Sequence, residues 1–169
     1  MTTKSMTDHY TNDCDVIIAG AGAIGMLSAW YLHKAGMRVS VLDQKQPFSG
    51  SSWAGGGILS AVPPWHYPSE VDTLVRASLQ LYPALVADLE EISGVALDHI
   101  ASGLLYTGPF DEQAEPWRQQ HADEVDRGVL LDWQPDCDQR PAWLLKNVAQ
   151  LRNPRLGKAL LAVCQRSGI

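Results

Sequence analysis

Three glycines at a fixed spacing are the residues best placed to do chemistry in this chain of 169 residues. Gly20, Gly22 and Gly25 form a Gly-x-Gly-x-x-Gly motif directly after the apolar run at residues 15–19. This spacing lets the backbone turn tightly, approach a pyrophosphate, and pack the following helix closely against the preceding strand. The motif therefore predicts a site for a dinucleotide.

The surrounding residues supply the elements that such a site requires. Residues 23–35 predict a helix with one small-to-apolar face, and residues 38–42 predict a second parallel strand. The backbone amides of Ala23 and Ile24 would face the phosphates at the positive end of this helix. Asp43 follows the second strand, where its carboxylate would accept hydrogen bonds from both adenosine ribose hydroxyls and would disfavour the 2′-phosphate of NADP. The alternative is a glycine-rich turn that binds no ligand.

The segment after Asp43 indicates which dinucleotide is bound. Residues 51–59 read Ser-Ser-Trp-Ala-Gly-Gly-Gly-Ile-Leu, which resembles the second FAD contact of the D-amino acid oxidase family, and within it the glycine oxidases of thiamine biosynthesis. Weaker similarity to the family continues at residues 82–83, 102–105 and 153–156. The resemblance implies FAD as the cofactor and adds these contacts: Gln44 beside the adenosine, Ser51 and Ser52 on the pyrophosphate, and Gly56, Gly57 and Ile58 along the flavin ring.

Flavin chemistry gives an independent reason for a loop of small residues. A reduced flavin carries negative charge that backbone amides can stabilise, and only residues without bulky side chains let the backbone come that close. The alternative is a flexible loop without a ligand. Trp53 is expected to cover this loop against the core rather than to contact the flavin. Asp43 stands where the family usually has Glu, the three glycines stand where alanine is commoner, and Trp53 replaces a smaller residue.

The fold class predicted for the whole chain is α/β, with a Rossmann-like FAD-binding βαβ domain whose parallel sheet is incomplete. A second, substrate domain is expected to be begun or absent. Residues 44–68 are predicted as loop, residues 103–106 as a strand and residues 112–126 as a helix. A further helix is expected from Ser69 to about Gly94, with a capping box at Ser69 and Asp72 and a kink or break at Pro83. Another helix is expected to begin at a cap at Asn153 and to end at Gly168.

The domain prediction divides the chain in two. Residues 1–13 are polar and are expected to form a disordered leader, while residues 14–169 would be the N-terminal portion of a longer two-domain oxidoreductase. The expectation of a longer protein comes from Ile169, which is predicted to be the first residue of a strand after the last helix. ADP would fit the chain more easily than FAD if later segments complete the flavin pocket.

Composition argues against several classes of function. A net charge of −6 with scattered basic residues disfavours a nucleic-acid partner, and no apolar run is long enough for a membrane helix, so the cytoplasm is the predicted location. Cys14, Cys137 and Cys164 are too far apart to indicate disulfides or zinc, and the five histidines lack ligand spacing.

The resemblance implies oxidation of a small amino acid or amine, such as glycine, sarcosine or a D-amino acid, to the imine, with oxygen as acceptor and hydrogen peroxide as product. The full-length enzyme could form a homo-oligomer. No catalytic residue is predicted within this chain, and His66, Arg152 and Arg155 are expected to be loop or surface residues. Two alternatives stay open: a flavin-dependent dehydrogenase that passes electrons to another acceptor, and a catalytically silent nucleotide-binding fragment.

Overall fold

The computed structural model describes residues 14–127 and 142–169. The leader predicted for residues 1–13 and the third cysteine, Cys137, lie outside the described residues. The longer helices and the strands follow in this order: β1 (Val16–Ala19), α1 (Ala23–Lys34), β2 (Val39–Leu42), α2 (Ser51–Ala54), β3 (Ile58–Leu59), α3 (Ser69–Ser93), β4 (Leu104–Tyr106), α4 (Ala114–Gln120), β5 (Val125–Arg127), β6 (Trp143–Leu145), β7 (Ala149–Gln150) and α5 (Asn153–Arg166).

The predicted βαβ unit is present and confirms the α/β fold class. Strands β1 and β2 pair in parallel, with Val16 beside Val39, and α1 forms the crossover between them. Gly36 takes the left-handed conformation (φ 88°) directly after Ala35, the C-cap residue of α1, as predicted. The prediction that β1 is buried is wrong for one face of the sheet, because the Ile17 side chain is 63% exposed and the described helices pack against the other face.

Helices α1, α3 and α5 enclose the larger hydrophobic core. Its fully buried side chains include Met26 of α1, Leu89 of α3, and Leu160 and Val163 of α5. Such close packing holds the first turn of α1 and the start of α5 in a fixed relation, because displacing either helix would open voids in the core.

A second core lies under the antiparallel sheet in which β6 stands between β4 and β5. Trp65, on a 3₁₀ turn, is buried at its centre and packs against other aromatic rings, with Tyr106 at 5.0 Å and Trp143 at 5.7 Å between ring centroids. Short strand β3 pairs with β7, and this pairing connects the loop after β2 to the segment that leads into α5.

The capping box predicted at the start of α3 is wrong. Pro68 is the N-cap residue, Ser69 already lies in the helix, and the Asp72 carboxylate accepts from Arg76 Nε at 2.6 Å instead of reaching back to the cap. The guanidinium one turn along the helix competes successfully for this carboxylate. The helix continues through Pro83 as one element and ends at Gly94, which is left-handed (φ 73°).

Two other boundaries also differ from the prediction. The helix expected at residues 112–126 is confined to α4, because the chain turns at His121 and Val125 then pairs with Leu145 as an antiparallel strand. Residues 44–68, predicted as loop, contain α2, β3 and a 3₁₀ turn. In the described ranges, no helix is both long enough and apolar enough to cross a membrane.

Candidate functional site

The turn between β1 and α1 brings strand and helix into direct backbone contact. Gly20 has a φ of 110°, which side chains rarely tolerate, and its N–H donates to the Leu42 carbonyl at 2.7 Å. A Cβ added at Gly25 would lie 1.9 Å from the Gly20 oxygen and 3.4 Å from Ile18 Cγ2. Gly25 is therefore the residue that allows α1 to start so close to the end of β1.

The positive end of the α1 dipole faces this turn, and the first turn of α1 contains no acidic residue. Gly22 is the N-cap residue, it has no side chain to cap the helix, and the first turn contains no acid. The amides of Ala23 and Ile24 precede the first intrahelical hydrogen bond, which Met26 N–H donates to the Gly22 carbonyl at 3.0 Å. Such a helix end is a general binding site for anions.

Ser52 connects the second motif to this helix end. The Ala23 N–H donates to Ser52 Oγ at 2.9 Å, and a Cβ at Gly22 would lie only 3.0 Å from the same oxygen. A hydroxyl that accepts one hydrogen bond can still donate its own proton to a phosphate oxygen. The glycine motif and the segment at residues 51–58, which are far apart in sequence, therefore meet at one point, and Ser51 precedes Ser52 as an exposed residue.

Asp43 is held at the same turn by backbone amides. Its Oδ2 accepts from the Ala21 N–H at 2.7 Å and its Oδ1 from the Lys45 N–H at 2.8 Å. These bonds, the one from Ala21 first, hold the pKa of the Asp43 carboxyl below its ordinary value, so the group is ionised at neutral pH. Each carboxylate oxygen keeps a lone pair for another donor, and Gln44 lies exposed beside it. Ribose binding by Asp43 and the position of Gln44 beside the adenosine stay predictions.

The three consecutive glycines have different surroundings. A Cβ at Gly55 would lie 2.3 Å from Asn153 Nδ2, and a Cβ at Gly57, whose φ is 75°, would lie 2.0 Å from the Leu151 oxygen. A Cβ at Gly56 meets no heavy atom within 4 Å among the described residues. Packing thus explains the first and third glycines, and the second has open space in front of it. Ile58, which follows the third glycine, is half-exposed.

Sequence reasoning took one residue of this site only as a helix cap. Asn153 was expected to cap α5, but Arg152 is the N-cap residue and the Asn153 amide donates to the Ser52 carbonyl at 3.0 Å. The modest family similarity at residues 153–156 was the signal that could have indicated this role. The expectation that Trp53 covers the loop is not met, because its side chain is 54% exposed.

The other candidates lie outside this site. The ring of His66 pairs with Asp111, a carboxylate partner that the sequence did not indicate. Arg152 and Arg155 both pair with Asp98, at 3.1 Å and 3.0 Å. The Cys164 thiol is buried in the larger core, as predicted, and burial raises its pKa. Within residues 14–127 and 142–169, no three His, Cys, Asp or Glu side chains are grouped to hold a metal ion.

Comparison with known families decides the classification. The family of FAD-dependent oxidoreductases that includes D-amino acid oxidase matches residues 15–169. The chain belongs to this family. FAD is accordingly the cofactor, and the site described above fits its diphosphate, since it offers a helix N-terminus whose first turn contains no acid, a serine hydroxyl and close backbone approach at glycine.

Individual relatives support the same classification. Glycine oxidase of Pseudomonas aeruginosa is 35% identical over 159 residues, which cover 89% of this chain and 43% of that protein. The crystal structure of glycine oxidase from Geobacillus kaustophilus superposes with a TM-score of 0.80 at 26% identity, covering 92% of this chain and 45% of the other. D-amino acid dehydrogenase of Dechloromonas aromatica is 46% identical over 65 residues, which cover 36% of this chain and 15% of that protein. The chain spans less than half the length of the relatives it matches.

Proposed function

We propose that this chain is the FAD-binding part of an enzyme that oxidises a small amino acid or amine, such as glycine, sarcosine or a D-amino acid. The observation that carries the proposal is the contact between Ser52 and the Ala23 amide at the N-terminus of α1. It brings the two FAD motifs of the family together, where a helix end and a hydroxyl can both bind a diphosphate.

The proposed assignment gives each part of the site a separate task. The amides of Ala23 and Ile24 and the hydroxyls of Ser51 and Ser52 would bind the pyrophosphate. Asp43 and Gln44 would bind the adenosine, with Asp43 accepting from the ribose hydroxyls. The backbone at Gly56, Gly57 and Ile58 would follow the flavin ring.

The proposed reaction transfers two electrons from the substrate. Its Cα loses a hydride and its nitrogen a proton, which leaves an imine that water hydrolyses to a carbonyl compound and ammonia or an amine. FAD supplies the hydride acceptor when bound, and oxygen, reduced to hydrogen peroxide, is the proposed final acceptor. The part of the chain described here orients the cofactor, and we assign no catalytic residue to it.

Peroxide formation tests this proposal. The purified chain is loaded with FAD, desalted, and incubated under air with glycine, sarcosine or D-alanine while peroxide is measured. Retained flavin absorbance with peroxide formation supports both cofactor and reaction. Retained flavin absorbance without turnover of any substrate, in air or with an artificial acceptor, argues for a nucleotide-binding part that acts only in an assembly.

A dehydrogenase is the second candidate, favoured by the similarity to D-amino acid dehydrogenase over 65 residues. Such an enzyme would pass the electrons to a quinone or a protein instead of oxygen. Substrate-dependent reduction of a quinone analogue without air, combined with no peroxide in air, would favour this candidate over the oxidase.

A further inference from the structure

We propose that Asn153 is a positioning residue for the cofactor site, an inference that rests on the proposed role of residues 51–58 in binding FAD. Its side-chain amide would hold α2 and the loop that follows it in the orientation that places Ser52 on the first turn of α1. The proposal assigns a role to the start of α5 that its position, about 100 residues after the loop, does not suggest.

The first observation is the hydrogen bond between Asn153 Nδ2–H and the Ser52 carbonyl, at 3.0 Å. The same residue, Ser52, accepts from the Ala23 N–H through its Oγ at 2.9 Å. Ser52 is therefore held from both sides, by α5 through its backbone and by α1 through its side chain. A single-turn helix such as α2 has little stability of its own, so its orientation depends on these external contacts.

The glycines of the loop supply a second, independent observation. The space that a Cβ of Gly55 would need is filled by Asn153 Nδ2, 2.3 Å away, and a Cβ at Gly57 would lie 3.5 Å from Asn153 Oδ1. The backbone of residues 55–57 thus wraps around the Asn153 amide. The adjoining Leu151 N–H donates to the Gly57 carbonyl at 2.9 Å, which fixes the far end of the loop on the same segment.

Helix α5 provides a rigid support for this contact. Leu156, Ala159, Leu160 and Val163 are buried in the larger core, and Gly157 admits the ring of Phe48, since a Cβ there would lie 2.4 Å from the ring. An amide on the first turn of such a helix can orient a loop precisely because its own backbone cannot move freely. Capping does not explain the residue, because Arg152 is the N-cap residue and the Asn153 side-chain amide donates to the Ser52 carbonyl.

Two substitutions separate the hydrogen bond from space filling. Asn153→Ala removes both the donor and the volume, whereas Asn153→Asp keeps the shape and replaces the donor by an acceptor facing a carbonyl oxygen. Gln165→Ala is the matched control, because it removes an exposed side-chain amide near the other end of the same helix. FAD affinity is measured by fluorescence quenching, exchange of the Ala23 backbone amide by NMR, and the melting temperature without FAD.

We expect both Asn153 variants to raise the Kd for FAD about five- to tenfold and to accelerate exchange of the Ala23 amide, with the control unchanged. Asp near a helix N-terminus favours the helix, so Asn153→Asp should keep the melting temperature and still bind FAD poorly. A Kd within twofold of wild type for both variants, with only the melting temperature lowered, overturns the proposal. If the wild-type chain binds neither FAD nor ADP, the proposed function fails, and Ala23 exchange alone decides: unchanged exchange in both variants refutes the positioning role and faster exchange supports it.

Discussion

Replacing Gly25 by alanine is expected to destabilise the chain, although the same change within most helices stabilises a protein. Alanine usually gains about 0.5–1 kcal/mol over glycine in the interior of a helix. Here the new Cβ would lie 1.9 Å from the Gly20 oxygen and 3.0 Å from the Gly20 carbon, both of them backbone atoms that no rotamer change can move.

The expected magnitude follows from this contact. Real Cβ atoms essentially never come closer than 3.0 Å to another heavy atom, so α1 and the end of β1 must separate by about 1 Å. Overpacking of this kind costs about 1–3 kcal/mol. For a chain of this length, that loss corresponds to a decrease of roughly 3–9 °C in the melting temperature.

Thermal unfolding followed by circular dichroism checks the prediction, with Gly50→Ala as the control. Gly50 has a φ of −98°, and a Cβ there meets no heavy atom within 4 Å among the described residues, so its replacement creates no clash and should lower the melting temperature less than Gly25→Ala does. If Gly25→Ala melts at or above the wild-type temperature, then the close approach of helix and strand is not required, and the assignment of Gly25 is wrong.

Three other predictions concern the same site. Ser52→Ala should weaken FAD binding roughly tenfold or more, measured by titration, because a hydrogen bond to a charged phosphate is lost, and it should lower the melting temperature because the Ala23 N–H loses its acceptor; an unchanged Kd would remove Ser52 from the cofactor site. Asp43→Asn should lower the melting temperature at pH 7, because a carboxyl group with a lowered pKa stabilises the folded chain while it is ionised. The difference from wild type should disappear as the pH falls from the ordinary pKa of 3.8 through the lowered pKa of folded Asp43, and a difference independent of pH would contradict this. Gly56→Ala should leave the unfolding transition unchanged and reduce FAD affinity, and equal affinity would place the flavin elsewhere.

Sequence reasoning predicted the elements of the βαβ unit because their signals are local. The apolar run before Gly20, the glycine spacing and the acid after β2 are each encoded within a few residues, and the structure places them within one residue of the expected bounds. The end of α3 was predicted equally well, since Gly94 is the residue type that a left-handed helix end favours.

The errors arose where distant residues decide the structure. Val125 forms a strand because Leu145 is available to pair with it. The capping error at Asp72 is the local exception, because Arg76 competes for its carboxylate from one turn along the same helix. Asn153 turns from its own helix to the Ser52 carbonyl, a partner that only the tertiary fold brings within reach. Trp53 is exposed although tryptophan favours burial, and the exposed face of β1 at Ile17 could not be inferred from its apolar composition.

The most direct test of the account is a titration of the isotope-labelled chain with ADP and with FAD, followed by NMR of the backbone amides. We expect the largest shifts at the first turn of α1, at Ala23 and Ile24, together with Ser52 and Asp43, and we expect FAD but not ADP also to shift Gly56 and Gly57. Saturating ligand that leaves these amides unchanged, or shifts only residues of the aromatic core around Trp65, would contradict the proposed cofactor site.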